Sequence, residues 1–354
     1  MQATESATPD LYTRFLNLRS ERNLRHRDAA QALGVSEGEA IAAAVGRTAP
    51  LRAVRLHGPW AAMFEQLPTL GRVMALTRND AAVHEKTGVY EAMSHEGPVG
   101  LALGADIDLR IFYMRWKHGF AVTEDTARGV QRSLQIYDAA GTAVHKVFLK
   151  DGADLGAWAA FTEAHADANQ TPGGSFEPVA ALPVPAADDS IDVEAFRAGW
   201  LAMADTHEFF PLLRRFGVAR TQALRLAPAG HAQVLPNTTV RALLQGAAAA
   251  GTSIMCFVGN PGMIQIHTGP VKKIEVMGPW VNVLDPGFSL HLREDRVAQT
   301  WLVRKPTSDG IVTSVELFDA QGETIAMFFG ERKPGKPEIE PWRQLLATLP
   351  GVAA

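Results

Sequence analysis

The chain has one cysteine in 354 residues, Cys256. A single thiol excludes an internal disulfide, a CxxC metal knuckle and any paired thioether attachment. There is no apolar run of 18 residues, so no segment reads as a membrane-spanning helix. The opening MQATESATPD has neither a basic stretch nor an apolar core, so a secretory leader is not expected and the cytoplasm is the expected compartment. Charge of one sign is also lacking: 34 basic side chains face 38 acidic ones, for a net charge of -4. That balance excludes a strongly basic nucleic-acid or membrane-surface binder. No HExxH, HxH, GxSxG, Walker or GxGxxG pattern occurs, and the 11 histidines stand singly, which argues against a zinc hydrolase or a nucleotide enzyme.

What is present is a 47% hydrophobic composition, enough for two cores, and an internal repeat. Tyr137-Asp138-Ala139-Ala140-Gly141 matches Phe318-Asp319-Ala320-Gln321-Gly322, 181 positions later. The same offset pairs Asn79 with Asn260, Thr87-Gly88 with Thr268-Gly269, Gly97-Pro98 with Gly278-Pro279, and Phe120 with Trp301. Upstream the offset becomes 183, which sets Leu33-Gly34-Val35 on Phe216-Gly217-Val218. The expected units are 10–150, a linker over 151–189, and 190–340. The stretch 166–190 is rich in Pro, Ala and Gly with little periodicity.

Each unit reads as helical in front and β-rich behind. VNVL, FSLHL, TWLVR, IVTSVELF and TIAMFF alternate or carry β-branched and aromatic residues. Asp285-Pro286-Gly287, Ser308-Asp309-Gly310 and Asp319-Ala320-Gln321-Gly322 supply the turns between them. Short turns join antiparallel strands. The expected class is α+β: a tandem repeat with a large antiparallel sheet and flanking helices in each half, and a cleft between the halves.

The segment 189–213 predicts one amphipathic helix capped at Asp189-Ser190. Phe196, Trp200, Met203, His207 and Phe210 fall at spacings of four, three, four and three, on one face. On this reading His207 projects from the last turn among aromatics, and Pro211 ends the run. A neutral imidazole in an apolar setting suits an iron ligand; a half-buried structural histidine is the competing reading from spacing alone. Offset 183 sets Leu24 at the matching place, so the imidazole belongs to one copy only.

Three motifs carry a resemblance. Asp205-Thr206-His207-Glu208-Phe209-Phe210-Pro211-Leu212-Leu213, followed by Phe216-Gly217-Val218-Ala219-Arg220, resembles the ligand helix of the HemS-type haem-utilisation family. Asp108-Leu109-Arg110-Ile111-Phe112 with Trp116-Lys117-His118-Gly119-Phe120 resembles its first-repeat signature, and Val303-Arg304-Lys305-Pro306-Thr307 with Asp309-Gly310-Ile311-Val312-Thr313-Ser314 its second. The resemblance spans nearly the whole chain. It implies haem (iron protoporphyrin IX) between the halves and His207 as the iron ligand. It implies Arg110 toward the distal face, Phe112 on the porphyrin, and Arg220, Lys305 and Arg332 at the propionate or rim side. The chain departs from the family at Ala326-Met327-Phe328-Phe329-Gly330, where relatives carry polar or tyrosine residues; Met327 or Phe329 then packs on the ring. The family implies either haem trafficking or oxidative haem degradation, and the carrier role is favoured here because no flavin or nicotinamide motif supplies electrons. Expected partners are a haem oxygenase and an inner-membrane haem importer, with no nucleic acid and no membrane insertion.

The rival is a helix-turn-helix regulator over residues 28–45, DAAQALGVSEGEAIAAAV. Its would-be recognition helix begins with Glu37 and Glu39 and offers no side chain suited to phosphate or bases. His118 and His231 remain alternative ligand candidates.

Overall fold

The computed structural model describes residues 9–182, 184–333 and 335–352. The first half runs through α1 (Leu11–Arg22), α2 (His26–Ala32), α3 (Glu37–Ala42), β1 (Leu51–Leu56), α4 (Trp60–Phe64), β2 (Val73–Arg78), β3 (Ala82–Gly88), β4 (Ala92–Glu96), β5 (Val99–Leu103), β6 (Asp108–Phe112), β7 (His118–Thr126), β8 (Gly129–Tyr137), β9 (Ala143–Leu149) and α5 (Leu155–His165). The second half repeats the plan with α6 (Val193–Leu201), α7 (Phe209–Phe216), α8 (Arg220–Leu226), β10 (Ala232–Leu235), α9 (Thr239–Ala250), β11 (Ser253–Asn260), β12 (Met263–Pro270), β13 (Ile274–Met277), β14 (Trp280–Asp285), β15 (Phe288–Arg293), β16 (Gln299–Thr307), β17 (Gly310–Phe318), β18 (Thr324–Gly330) and α10 (Glu340–Ala347).

Two antiparallel sheets of nine strands result, with helices on their flanks, as expected for an α+β tandem repeat. Their composition adds what the pattern does not show. One sheet runs β1-β7-β8-β9-β2-β3-β15-β14-β13 and the other β10-β16-β17-β18-β11-β12-β6-β5-β4. Each half therefore lends three strands to the other's sheet. Asn79 and Asn260, matched in the repeat, pin the crossing. The Asn79 amide donates to the carbonyls of Gly259 (3.1 Å) and Ile325 (2.8 Å). The Asn260 amide donates to those of Arg78 (2.9 Å) and Val144 (2.8 Å). Within the stretch read as linker, α5 is capped by Asp154 and packs Trp158 and Phe161 into the first-half core.

The helix expected over 189–213 is broken. Asp192, not Asp189 or Ser190, caps α6, which stops at Leu201. A single 3-10 turn, Thr206–Glu208, follows, and α7 begins at Phe209. Asp205 accepts the His207 backbone N–H at 2.7 Å, a local bond that competes with helix continuation. Pro211 is the third residue of α7 rather than a terminator; a first-turn position has no helical partner for its missing N–H. Phe196, Trp200 and Met203 are buried as the spacing requires, while Phe210 is exposed.

The helix-turn-helix reading fails on burial. In α3, Glu37, Gly38, Ala40, Ile41 and Ala42 are all buried, and Glu37 is paired with Lys146 inside the protein. No face of that helix is free for a groove.

Candidate functional site

Alternation along β11 buries Ile254, Cys256 and Val258 on one face. The opposite face of this sheet is where polar residues belong in an antiparallel sheet open to water. Here it carries Met255, Phe257, Ile264, Met327 and Phe329, all only half-buried. Register places them side by side: Phe257 opposite Met327, Met255 opposite Phe329, and Gly259 opposite Ile264. The Phe257 and Phe329 rings meet edge to face at 5.1 Å. A half-open apolar stripe of this kind marks a surface that takes a ligand.

The expected site residues fall around this stripe. Strand exchange brings β6 next to β12, so Arg110 stands opposite Ile264 and Phe112 follows on the same face. Arg110 is ion-paired with Asp108. Phe329 belongs to the stripe itself. Arg332 leaves β18 at the far end; its Nη2 is 4.0 Å from Asp309, and its buried Nε has no hydrogen-bond partner among the described residues.

Arg220, at the start of α8, and Lys305, on β16, converge on a residue that the motifs do not flag. Glu316 on β17 is fully buried. It takes Arg220 through both carboxylate oxygens (2.8 and 3.0 Å) and Lys305 at 2.8 Å. Burial would raise the Glu316 carboxyl, but the two cations outweigh it and hold it well below the carboxylate range. Burial pulls the Lys305 ammonium down to about 8, with Glu316 opposing. The two cations also flank the Phe209 ring, Lys305 at 4.5 Å and Arg220 at 5.2 Å from its centroid. The triad thus anchors the start of α7, next to the turn that bears His207. The lone acid in the apolar run IVTSVELF was the available signal for it.

His207 does not sit in an apolar stripe of helix. Its side chain is 91% exposed on the 3-10 turn. Nδ1 lies 2.6 Å from Asp205 Oδ1. A carboxylate only accepts, so Nδ1 carries a proton, and in the neutral ring this leaves the lone pair on Nε2. This is the arrangement in which an outer carboxylate orients a metal-binding imidazole. The alternatives are placed elsewhere: His118 packs on Phe176 at 4.3 Å, and His231 Nδ1 bonds the Ala229 carbonyl.

The groove continues into a cleft of about 960 Å³ between the halves. Arg220, Phe257, Ile264 and Met327 form one wall, and α2, α3 and the end of β2 form the other. Of the expected site residues only Arg220 lines it; His207, Arg110, Phe112, Lys305, Phe329 and Arg332 lie outside this lining. Among the described residues no cluster of three metal-ligating side chains occurs, so a metal held by protein donors alone has no site. A flat apolar group with a metal of its own and acidic edges does fit: one oriented imidazole, an apolar stripe, and guanidinium groups at its borders.

The haemin-degrading HemS.ChuX domain model matches residues 34–165 and again 217–349. The chain is 38% identical over 344 residues to the hemin transport protein HemS of Yersinia enterocolitica, over 96% of this chain and 97% of that protein. It superposes on holo-PhuS, a heme-binding protein from Pseudomonas aeruginosa, with a TM-score of 0.93 and 47% identity over 97% of this chain and 99% of that one. The heme degrading enzyme ChuS of Escherichia coli O157:H7 gives 0.88 and 36% over 96% and 98%. One domain model thus lands twice, on the two halves that the offset marks out, and the chain belongs to the HemS.ChuX family.

Proposed function

We propose that this protein binds haem on the apolar stripe of the second half, with His207 Nε2 as the iron ligand, and carries it within the cytoplasm. The observation that bears most weight is the exposed imidazole fixed through Nδ1 by Asp205, with Nε2 unengaged among the described residues. Bound there, haem would supply the iron for any oxidative chemistry. The chain's own part is to orient the ring, exclude water with Met255, Phe257, Ile264, Met327 and Phe329, and set cations at the edge. Arg110 and Phe112 approach from the first half, and Arg332 borders the His207 turn. Arg220 and Lys305 act through Glu316: one carboxylate offsets one of their two charges, so the cluster stiffens the pocket and keeps a net positive charge beside it.

A single imidazole offered from a 3-10 turn is one bond for an acceptor to replace. A carrier needs such a ligand, because haem must pass to an acceptor. The donor would be an inner-membrane haem importer and the acceptor a haem oxygenase.

The test is titration with hemin followed by challenge. One haem per chain with a sharp Soret band is expected; His207→Ala abolishes or shifts it, and His231→Ala leaves it. The complex is then held under oxygen with ascorbate or a reductase, catalase removing free peroxide. Intact haem that transfers to apo haem oxygenase supports the carrier. A defined tetrapyrrole product with released iron would replace it with an enzyme.

A further inference from the structure

The cleft between the halves holds a cation that its surroundings leave unpaired. Arg78 ends β2 and lines the cleft together with Phe257, Ile264 and Met327. Among the described residues the only hydrogen bond of its guanidinium is a long one, Nε to the Asn79 carbonyl at 3.4 Å. Among the described residues no carboxylate lies within ion-pair reach, 4.0 Å. The acids nearest in effect are Glu37, Asp28 and Asp80. Glu37 already holds Lys146, and Asp80 holds Arg27. Burial and the neighbouring Arg27 both disfavour the charge on Arg78. The other two guanidinium groups in the lining are engaged, Arg27 by Asp80 and Arg220 by Glu316.

The position is also rigid. Asn79, the next residue, accepts from the backbone N–H groups of Ala81 and Ala82 and donates across to Gly259 and Ile325. Its amide is satisfied at both ends, so the loop after Arg78 is fixed to the second half. The residue matched to Arg78 in the repeat is Gly259, so the second half has no counterpart of this cation. A half-buried guanidinium without an ion-pair partner, on a backbone fixed in a cleft wall, is a receptor for a carboxylate.

We propose that Arg78 is an anion-binding residue that takes a carboxylate of the ligand lying on the Phe257–Ile264–Met327 stripe. With haem as that ligand, the partner is a propionate, and the assignment rests on the haem reading. Arg78 then ties the first half to a ligand whose iron is held by the second.

The test compares haem with haem dimethyl ester, in which both propionates are masked, on wild type, Arg78→Gln and Arg78→Met. Wild type is expected to prefer haem. Arg78→Gln should weaken haem by about tenfold, the usual worth of a charge-assisted bond, and leave the ester unchanged. Arg78→Met keeps the apolar stem and gives the same comparison should the glutamine variant fold poorly. Equal preference for haem over ester in wild type and variants would overturn the assignment while leaving the haem reading intact. A wild type that binds neither porphyrin would overturn both.

Discussion

Oδ1 of Asp205 serves two donors of His207 at once, the ring Nδ1 at 2.6 Å and the backbone nitrogen at 2.7 Å. One carboxylate thereby sets both the turn and the imidazole tautomer. The bond from the His207 backbone lowers the Asp205 carboxyl most, against slight burial, so it stays ionised. Asp205→Ala should weaken haem binding by about 10- to 100-fold, the usual loss when the outer partner of a ligating histidine is removed. Asp205→Asn, which keeps an acceptor oxygen, should lie between. Soret titration measures both. An unchanged Kd and spectrum in the alanine variant would mean that something else orients the ring.

The buried triad makes a sharper stability claim. Removing the Glu316 carboxylate leaves Arg220 and Lys305 facing each other with no counter-charge. Glu316→Ala should cost about 3–5 kcal/mol in urea unfolding, as for a broken buried ion pair. Replacing all three members together with apolar residues of similar volume should recover most of that loss. A single variant within about 0.5 kcal/mol of wild type would show that water reaches the cluster.

These two clusters mark where the sequence was legible and where it was not. The repeat and the strands follow from offset and periodicity, because burial on one face writes itself into every second residue; the residues expected around the stripe come only from the resemblance to the HemS-type family. The exchange of β4 to β6 for β13 to β15 does not, since hydrogen-bond partners leave no trace in alternation. His207 is proposed from spacing and resemblance, and the helix expected to carry it stops short of it: the apolar spacing of Phe196, Trp200 and Met203 continues numerically past a point where Asp205 captures the chain. Glu316 stood in plain view as a lone acid in a strand. Its meaning needed the two cations, which lie 96 and 11 residues away.

Acid stability should follow the buried imidazoles. His145 is fully enclosed, with Nδ1 2.9 Å from the Thr77 hydroxyl and Nε2 2.8 Å from the Tyr90 hydroxyl. Burial pulls its pKa from the ordinary 6.5 down to about 3. Between those values the unfolded chain takes a proton that the folded chain refuses. Stability from this group is therefore complete above 6.5 and falls as pH drops toward 3, by about 1.4 kcal/mol per pH unit. His267, also pulled to about 3, acts in the same sense. Urea melts of His145→Gln at pH 4.5, 5.5 and 6.5 should show a slope shallower by about one proton. An unaltered slope would mean that His145 accepts a proton without unfolding.

Strand exchange predicts that the halves cannot part. Ala180 and Ala181 are exposed, so a protease site inserted between them should be cut in the native protein. The nicked chain should still elute as one species and keep its haem stoichiometry, because β15 stays paired with β3 from Phe288 opposite Lys86 to Leu292 opposite Ala82. Likewise β6 stays paired with β12 from Ile111 opposite Met263 to Asp108 opposite Ile266. Separation should require denaturant. Either fragment made alone would carry three strands without their sheet and an open edge where they should dock, and should aggregate. Clean separation in native buffer would mean that each hairpin can fold back on its own half. In that case Arg110 would leave the face that carries Ile264, and the first half would lose its place at the ligand.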